Sequence, residues 1–358
     1  ANPASKIGPF LTGEPDRNLR PRASAEEMFE KGSISLSTAA IHTVKPLSVR
    51  FPKGRLTAVT GVSGSGKTTL ILESLIPGLS AAIEGKKPPE HVLSVSAPGI
   101  RQVKLIDATP IGINVRSTVA TYAGVHDEPR KIFARLPQAK EKGYKAGDFS
   151  YNTGSLRCPT CDGTGQISLD VQFLPDVDIP CPDCRGSRYG KEAEAVLYPA
   201  PDGKGYSLPQ LMAMDVRQAM EVCSGMKLVR GRLQVLDSLG LGYLTLGEQT
   251  PSLSGGEAQR LKLASEMGRP QSDAIFIFDE PTIGLHPLDV RTLLAVFETL
   301  IRSGATVIVI EHDLDLIRNA DYIVDMGPGG GEEGGQIVAA GTPEEVQAAK
   351  ESVTGRFL

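Results

Sequence analysis

Leu253-Ser254-Gly255-Gly256-Glu257 is the stretch from which the rest of the chain is best interpreted, and Ala258-Gln259-Arg260 follow it. Ser254 and the backbone N–H groups of Gly255 and Gly256 precede a helix predicted over residues 257–267, and free N–H groups at a helix start bind anions. Five residues can match by chance, so the interpretation depends on the motifs on either side. A first phosphate-binding loop lies far upstream, around Lys67, so this stretch is not expected to bind the same nucleotide in a redundant way. It is therefore predicted to contact a second nucleotide across a dimer interface.

A glycine-rich loop upstream provides the first phosphate site. Its glycines let backbone N–H groups approach phosphates closely, Lys67 reaches the β- and γ-phosphates, and the Thr68 hydroxyl holds Mg²⁺. A buried strand is predicted over residues 55–60 and a helix over residues 69–75, and this context argues against a chance match. The candidate nucleotide-binding residues of the loop are Gly61, Ser63, Gly64, Ser65, Gly66, Lys67, Thr68 and Thr69.

Two carboxylates and a histidine follow apolar strands further downstream. Residues 275–278 form a continuous apolar run, as in a parallel strand that is covered on both faces, and Asp279 and Glu280 come directly after it. Asp279 is predicted to bind Mg²⁺ through water, and Glu280 to orient or deprotonate the attacking water. His312 follows a second apolar run and is predicted to bond the γ-phosphate. Helix capping is the alternative role for paired acids, but a loop follows them here. The candidate catalytic residues are Glu280, His312 and Lys67.

Phosphate loop, Leu-Ser-Gly-Gly, Asp-Glu and His, in that order, is the layout of an ABC-type ATPase. We therefore predict an α/β fold, in which an ABC-type P-loop ATPase cassette is interrupted by a mainly helical signature domain that carries a Cys₄ zinc module. The predicted domains are an incoming linker over residues 1–32, the first part of the ATP-binding domain over 33–105, the signature domain over 106–269 with the zinc module at about 149–192, and the second part of the ATP-binding domain over 270–358.

Four of the five cysteines occur in two Cys-x-x-Cys pairs, which predict a metal site. Each pair sits in a tight turn, and two such turns make a closed tetrahedral site that suits Zn²⁺ in a structural role. Iron in a rubredoxin-like site is the alternative. Residues 166–178 between the pairs alternate apolar and polar, which predicts a hairpin. The predicted ligands are Cys158, Cys161, Cys181 and Cys184, whereas Cys223 is predicted to be a small buried apolar residue.

The overall charge is mildly acidic, with 38 basic and 42 acidic residues, so any contact with nucleic acid must be local. Nine basic residues against four acidic ones lie between positions 101 and 145, a surplus that either follows a phosphate backbone or forms a solvated helical face. Residues 148–192 carry seven acids against four bases, so the cysteine module is as readily a structural clamp as a DNA contact. The candidate DNA-binding residues are Arg116, Arg157, Arg185 and Arg188.

No run of about 18 apolar residues occurs, and the first 22 residues lack the apolar centre of a secretory signal. These features predict a cytoplasmic protein without a membrane partner. The chain begins with Ala1 rather than Met, from which we expect a fragment or a trimmed chain.

Phrases outside the ATPase motifs make the chain resemble the C-terminal half of the UvrA family of nucleotide excision repair proteins, from about residue 33 onward. They include Pro110-Ile-Gly112, Arg116-Ser117, Ala120-Thr-Tyr122, Phe173-Leu-Pro-Asp-Val177, Leu239-Gly-Leu-Gly-Tyr243, Thr282-Ile-Gly-Leu-His286, Val309-Ile-Glu-His312 and Thr354-Gly-Arg-Phe-Leu358.

The resemblance implies ATP, Mg²⁺ and Zn²⁺ as cofactors and damaged duplex DNA as a partner. Members of the family carry two cassettes in one chain and dimerise. A single phosphate loop and a single Leu-Ser-Gly-Gly occur here, so the expected partner cassette is the N-terminal half of the same protein or a second copy. The family also implies a UvrB-like partner, bound through the half that is missing here.

Three positions depart from the family pattern. Ala108 stands where the family usually has Gln, the residue that senses Mg²⁺ and the γ-phosphate, and Ile113 and Val119 replace a typical Arg and Pro. The expected function is that of an ATP-dependent subunit that binds DNA and recognises damage in nucleotide excision repair, with a low ATPase rate because of Ala108. A divergent UvrA-like DNA-binding protein for drug self-resistance with weak ATPase is the alternative within the family. An ATPase subunit of a transport system is the alternative from another class, and the cysteine module argues against it.

Overall fold

Runs of β-branched and aromatic residues that predict buried strands form the middle of a six-stranded sheet in the computed structural model. The structure describes residues 20–112, 114–169, 177–267, 271–283, 285 and 287–358, and every feature below belongs to them. The chain divides into a sheet unit, Ala1–Asp107 with Gly268–Leu358, and an insert unit, Ala108–Met267.

The main sheet positions the candidate catalytic residues because most of its strands are parallel. Neighbouring strands are parallel except for one antiparallel pair at one edge. The carboxyl ends of parallel strands meet at one edge of a sheet, so side chains that follow different strands come together there. Across the sheet the strands are Gln336–Gly341, Tyr322–Gly327, Leu56–Gly61, Thr306–Ile310, Ala274–Asp279 and Gln102–Ile106.

A second, antiparallel sheet of three strands completes the strand structure of this unit. Its strands, in spatial order, are Leu47–Pro52, Ser33–Thr38 and Val92–Ser96. Phe51 and Ile34 of this sheet share one buried cluster with Leu70 and Leu75 of the helix after the phosphate loop and with Val59 of the main sheet. The phosphate loop is therefore anchored on both sides by a single apolar core.

The helix after the phosphate loop is longer than predicted. It is π-helical over Thr69–Leu75 and α-helical over Ile76–Glu84. Pro77 lies at the junction and has no N–H group, so the hydrogen-bond pattern changes there. The other helices of the sheet unit are Pro287–Arg302, Leu314–Arg318 and Pro343–Ala348, with 3₁₀ turns at Gly331–Glu333 and Thr354–Phe357.

The insert unit is mainly helical and contains two short hairpins. The helices are Val119–Tyr122, Asp127–Phe133, Pro137–Glu141, Leu208–Ala213, Val216–Val222, Lys227–Ser238 and Gly255–Glu266, with 3₁₀ turns at Lys191–Ala195 and Thr250–Ser252. The hairpins pair Gln166–Leu169 with Val177–Pro180 and Tyr198–Pro199 with Gly205–Tyr206. The predicted hairpin between the two cysteine pairs is thereby confirmed.

Local signals set where two helices of the insert unit begin. The stretch around residues 130–145 forms two helices rather than one, because Pro137 begins a new helix and Leu136 before it is extended. The helix after Ser254 begins two residues earlier than predicted, at Gly255.

The described part of the predicted linker is anchored to the sheet unit. The guanidinium of Arg20 is buried and lies 3.0 Å from a carboxylate oxygen of Glu298 and 3.2 Å from one of Asp321. Asp321 also accepts the backbone N–H groups of Ala23 and Leu56. One buried carboxylate thus joins the incoming chain to the strand that leads into the phosphate loop.

Some predicted positions lie outside the described residues, namely residues 1–19, Ile113, most of the Phe173–Val177 phrase, and Gly284 and His286 of the Thr282–His286 phrase. In the described part of the chain, no helix combines the length and the apolar character that crossing a bilayer demands.

Candidate nucleotide site and metal centre

The phosphate loop leaves the end of a fully buried strand and turns through left-handed glycines. Gly61, Gly64 and Gly66 have φ angles of 134°, 74° and 98°, which side chains with a Cβ rarely adopt. A Cβ on Gly61 would also collide with the carbonyl oxygen of Met326 in the neighbouring strand. Ser63, Gly64 and Thr68 are exposed. Because of these φ angles and this close contact, the loop needs glycine at positions 61, 64 and 66.

Lys67 is folded back onto its own loop. Its Nζ donates to the carbonyl oxygens of Gly61 and Val62, each at 2.9 Å. Burial lowers the pKa of Lys67, while the negative charges of Glu280 and Asp325 raise it in part. The ammonium group thus lies among carbonyl oxygens and carboxylates that compensate its charge, and a bound phosphate could replace them.

Ser65 and Thr69 have different environments in the same loop. The Ser65 side chain is fully buried, and its Oγ has no hydrogen-bond partner among the described residues. Thr69 donates its hydroxyl to Glu73 one turn along the helix, at 3.1 Å. A buried hydroxyl without a partner is costly, so Ser65 Oγ is a group that a ligand in this loop would satisfy.

The Asp-Glu pair lies at the carboxyl edge of the main sheet, as its position after a buried strand predicts. Glu280 has a left-handed backbone, with φ of 45°, and its N–H donates to the carbonyl oxygen of Ile310 on the adjacent strand. Its carboxylate Oε1 lies 3.7 Å from Nε2 of His312. A non-glycine residue in this conformation is unusual and marks backbone strain. The structure therefore brings Glu280 and His312 together.

Protonation states at this edge follow from burial and from crowded carboxylates. Burial raises the pKa of Asp279, and the charges of Glu280, Asp107 and Glu311 raise it further. Burial lowers the pKa of His312, and the positive charge of Lys67 lowers it further, against the effect of Glu280 and Glu311. His312 is therefore neutral at pH 7, able to donate one hydrogen bond to a ligand. The concentrated negative charge at Asp279 suits a divalent cation.

Glu311 is a positioning residue that sequence reasoning missed. Its buried carboxylate accepts three backbone N–H groups, from Thr282 at 2.9 Å, His312 at 2.7 Å and Asp313 at 3.0 Å. It thereby ties the loop after Glu280 to the turn that carries His312. The sequence contained one indication of this role: an acidic residue at the end of a continuous apolar strand must find hydrogen-bond donors, because an unpaired buried charge is costly.

The Leu-Ser-Gly-Gly-Glu stretch forms a capping box at the start of a twelve-residue helix. Ser254 Oγ accepts the N–H of Glu257, and Glu257 Oε2 accepts the N–H of Ser254 at 2.7 Å and its hydroxyl at 2.8 Å. Tyr243 donates its hydroxyl to Glu257 Oε1 at 2.5 Å. Although burial raises the pKa of Glu257, the hydrogen bonds from Tyr243 and Ser254 bring it below its ordinary value.

Ala108 lies against this helix start. A Cβ placed on Gly255 would lie 3.2 Å from the Cβ of Ala108. The position where the family usually has Gln is thus within the insert unit, beside the first glycine of the signature stretch. The consequence of Ala108 for the ATPase rate stays a prediction.

The four predicted cysteine ligands converge. Their sulfur atoms all lie within 4.8 Å of one another. Cys158 and Cys181 are 3.8 Å apart and Cys161 and Cys184 are 3.6 Å apart, sulfur to sulfur. Four thiolates at this spacing, mostly buried, suit tetrahedral Zn²⁺ and leave no open position. Cys223 lies outside this cluster and is fully buried, as predicted, and burial raises its pKa to about 12.

The two cysteine turns have matching backbones. The residue after the second cysteine of each pair, Asp162 or Arg185, has φ of 50°, and the glycine that follows is also left-handed. A Cβ on the first of these glycines, Gly163, would collide with the carbonyl oxygen of Tyr151. The Cys-x-x-Cys-x-Gly pattern therefore reflects two equivalent turns that aim their sulfurs at one point.

The four candidate DNA-contacting arginines differ in accessibility. Arg185 is exposed, whereas Arg116 and Arg157 are half-buried and both pair with Asp162, at 3.0 Å and 2.8 Å. Arg188 is 2% exposed, donates to the carbonyl oxygen of Val115 and lies over the ring of Tyr151. Its interior position explains its presence structurally, so we leave Arg188 out of the DNA-contacting set.

The predicted site residues thus fall into separate groups. Lys67, Asp279, Glu280 and His312 belong to the sheet unit, while Ser254 to Gly256 and the cysteines belong to the insert unit.

Comparisons with known proteins agree with the motifs. No family model matches the chain. The UvrABC system protein A of Bacillus subtilis (strain 168) is 44% identical over 361 residues, which cover 100% of this chain and 37% of that protein. The UvrABC system protein A of Micrococcus luteus is 44% identical over 367 residues, covering 100% of this chain and 36% of that protein. The chain therefore spans little more than a third of the length of these relatives.

A solved structure is similar to this chain over nearly its full length. The crystal structure of UvrA2 from Deinococcus radiodurans superposes with a TM-score of 0.87 at 38% identity, covering 99% of this chain and 42% of that chain. With 99% of this chain covered, the similarity in fold extends over both the sheet unit and the insert unit. The chain belongs to the UvrA family and matches the C-terminal half of its members.

Proposed function

We propose that the chain is the C-terminal ATPase part of a subunit that binds DNA and recognises damage in nucleotide excision repair. The observation that carries the proposal is the meeting of Lys67, Glu280 and His312 at one edge of the main sheet, in a chain of the UvrA family. UvrABC system protein A is the name of the relatives, and the whole-protein activity is extended from them to this chain.

In the proposed mechanism, ATP is held by the phosphate loop, and Lys67 exchanges the carbonyl oxygens of Gly61 and Val62 for phosphate oxygens. The Thr68 hydroxyl and the Asp279 carboxylate would hold Mg²⁺, which neutralises phosphate charge. Glu280 orients or deprotonates the attacking water, and neutral His312 donates a hydrogen bond to the γ-phosphate. Phosphoryl transfer depends mainly on positioning and on stabilising charge, so a few fixed groups suffice.

The second half of the nucleotide site is proposed to come from a partner cassette. Ser254 and the N–H groups of Gly255 and Gly256 would contact the γ-phosphate of a nucleotide held by the partner, and ATP would join two cassettes. The partner is either the N-terminal half of the same protein or a second copy. Hydrolysis then releases the pair, and that movement would shift the zinc-bearing insert on DNA.

DNA is proposed to be recognised by its shape and deformability, since bulky lesions share weakened stacking rather than a base sequence. Arg116, Arg157 and Arg185 are the candidate phosphate contacts on the insert. A UvrB-like protein is the proposed partner of the complete protein, through the part that this chain does not include.

Replacement of Glu280 tests the catalytic assignment. Glu280→Gln should abolish ATP turnover, because the amide cannot accept a proton, and should leave ATP binding intact. Turnover is measured by phosphate release, and binding by a fluorescent ATP analogue. Glu84→Gln, an exposed acid on the helix after the phosphate loop, is the control and should behave as the parent. If Glu280→Gln hydrolysed ATP at the parent rate, the assignment of Glu280 as the catalytic base would be wrong.

Ala108 favours a second candidate within the same family, a DNA-binding module whose ATPase is slow. Stable ATP occupancy with no measurable phosphate release from the parent chain would select that candidate over an active ATPase.

Affinity for matched duplexes tests the DNA proposal. One duplex is intact and the other carries a single bulky adduct, with ATP and at one stated salt concentration, because phosphate contacts make affinity steeply salt-dependent. A preference for the adduct is expected. Equal affinity would show a general DNA-holding ATPase, and no binding to either duplex would contradict the proposal for this chain.

A further inference from the structure

A second glycine-rich segment lies against the phosphate loop. Residues 327–335, here called the glycine segment, read Gly-Pro-Gly-Gly-Gly-Glu-Glu-Gly-Gly. The segment follows the strand Tyr322–Gly327, whose Met326 is paired with Gly61 at the start of the phosphate loop. Its glycines have no part in the nucleotide chemistry proposed above.

Two backbone hydrogen bonds join the glycine segment to the phosphate loop. The N–H of Gly331 donates to the carbonyl oxygen of Gly64 at 3.1 Å, and the N–H of Gly335 donates to that of Ser65 at 3.0 Å. A trans peptide is planar, so its C=O and N–H point in opposite directions. Holding the Ser65 carbonyl on the outer side of the loop turns the N–H of Gly66 to the inner side, where N–H groups of such loops meet phosphate.

The contact is so close that side chains are excluded from it. A Cβ on Gly330 would lie 2.5 Å from the carbonyl oxygen of Ser63, and one on Gly334 would lie 2.6 Å from the carbonyl oxygen of Gly329 and 3.1 Å from Cα of Ser65. Gly330 has φ of −100° and Gly334 has φ of −90°, values open to any residue. Glycine is therefore required at these two positions by space and not by backbone conformation.

The remaining carbonyl contacts of the loop are of a different kind. The oxygens of Gly61 and Val62 are occupied by Lys67 Nζ, which must leave them to reach a phosphate. The oxygens of Gly64 and Ser65 are occupied by main-chain donors of the glycine segment, which need not move. The segment can thus hold the shape of the loop before and after a nucleotide arrives.

We infer that the glycine segment is a positioning element of the nucleotide site, which sets the affinity of the phosphate loop for the β- and γ-phosphates. The inference rests on the proposed ATP binding at Lys67. The segment acts through the phosphate loop and does not touch the reacting atoms, so it should change the KM for ATP and leave kcat nearly unchanged.

The test substitutes the glycines that space alone constrains. In Gly330→Ala, the methyl group would push against Ser63, and the dissociation constant and KM for ATP should rise about tenfold, as for other overpacked contacts. Gly334→Ala should act in the same direction. Gly147→Ala is the matched control, because a Cβ there meets no atom within 4 Å, and its ATP affinity should equal that of the parent.

Binding and melting temperature are measured together on the full chain, with Lys67→Ala alongside. Normal ATP affinity in both Gly330→Ala and Gly334→Ala would overturn the inference. So would a large fall in the nucleotide-free melting temperature without a change in affinity, since that indicates a purely structural role. If the parent chain itself fails to bind ATP, or Lys67→Ala binds as the parent does, the proposed function fails instead.

Discussion

His126 is a buried histidine whose charge state is set by its surroundings. Its Nε2 lies 2.8 Å from the hydroxyl of Tyr189, which itself donates to the carbonyl oxygen of Phe149. The imidazole therefore donates to Tyr189, and its ring lies 5.0 Å from that of Tyr151. Burial lowers the pKa of His126 to about 4. The positive charges of Arg130 and Arg188 lower it as well, and the negative charge of Asp127 raises it in part.

Acid should destabilise the insert unit through His126. The folded pKa of about 4 lies below the ordinary value, so the unfolded chain binds the proton first and stability is lost as pH falls below about 6.5. Between pH 7 and pH 5 the loss should be about 2 kcal/mol. Denaturant unfolding at both pH values measures it.

His126→Gln keeps a hydrogen-bond donor and cannot titrate, so it is the comparison for this prediction. The pH-dependent loss of stability should be smaller in His126→Gln than in the parent by that amount. Equal losses in the two proteins would assign the acid sensitivity to other groups, such as the cysteine ligands.

The role of a single residue could be predicted where a short sequence motif specifies it. Lys67, Glu280 and His312 stand in short phrases after apolar strands, so their common location at a sheet edge could be predicted. Glu311 could not be assigned its role, because its partner Thr282 lies 29 residues away. The burial of Arg188 could not be predicted, because its charge is visible in the sequence, whereas its packing over the ring of Tyr151 is not.

At the scale of elements, the cysteine turns hold the hairpin Gln166–Leu169 with Val177–Pro180 and the strand-like contact of Arg157 with Tyr189. The same hairpin also contacts the chain just before the Leu-Ser-Gly-Gly-Glu stretch. The amide of Gln249, four residues before Leu253, donates to the side-chain oxygen of Gln166 at 2.8 Å. The cysteine module therefore makes contacts beyond its own two turns.

Removal of the metal should loosen these elements. Cys158→Ser should lose bound zinc and lower the melting temperature, because the free energy of binding a structural zinc ion is part of the folding free energy. Metal content by elemental analysis and thermal unfolding measure the effect. Cys223→Ala changes a buried cysteine outside the cluster and should keep its zinc. Purified parent protein that holds iron or no metal would contradict the zinc assignment.

At the scale of the whole molecule, we propose that the nucleotide site draws on two cassettes, from two copies or from two halves of one protein. The phosphate loop and the Asp-Glu-His groups belong to the sheet unit, and Ser254 belongs to the insert unit. A copy of this chain that pairs with a second copy would form two composite sites, each with Lys67 from one copy and Ser254 from the other.

Mixing two inactive variants tests this arrangement. Lys67→Ala and Ser254→Arg should each be inactive alone. A mixed pair contains one intact site, so an equal mixture should recover about a quarter of the parent ATPase rate, given a symmetric dimer. Phosphate release at several mixing ratios measures it. If the mixture stays inactive while the parent is active under the same conditions, two copies of the chain do not share a nucleotide site.

The fold class and the family could be predicted because local phrases carry them. Three local patterns each specify the backbone conformation of a few residues. They are the apolar run followed by glycines and Lys67, the two Cys-x-x-Cys turns, and Ser254 with Glu257 three residues later. The predicted helices after the phosphate loop and after Ser254 followed from the same short-range preferences, with a boundary error at Gly255.

Contacts between distant segments needed the folded chain. The glycine segment packs on a phosphate loop more than 260 residues earlier, Asp321 receives Arg20 and the N–H of Leu56, and Glu311 joins two loops. Each of these contacts depends on which strands become neighbours in the sheet. That order comes from burying many apolar side chains at once, a sum over the whole chain that no short stretch encodes.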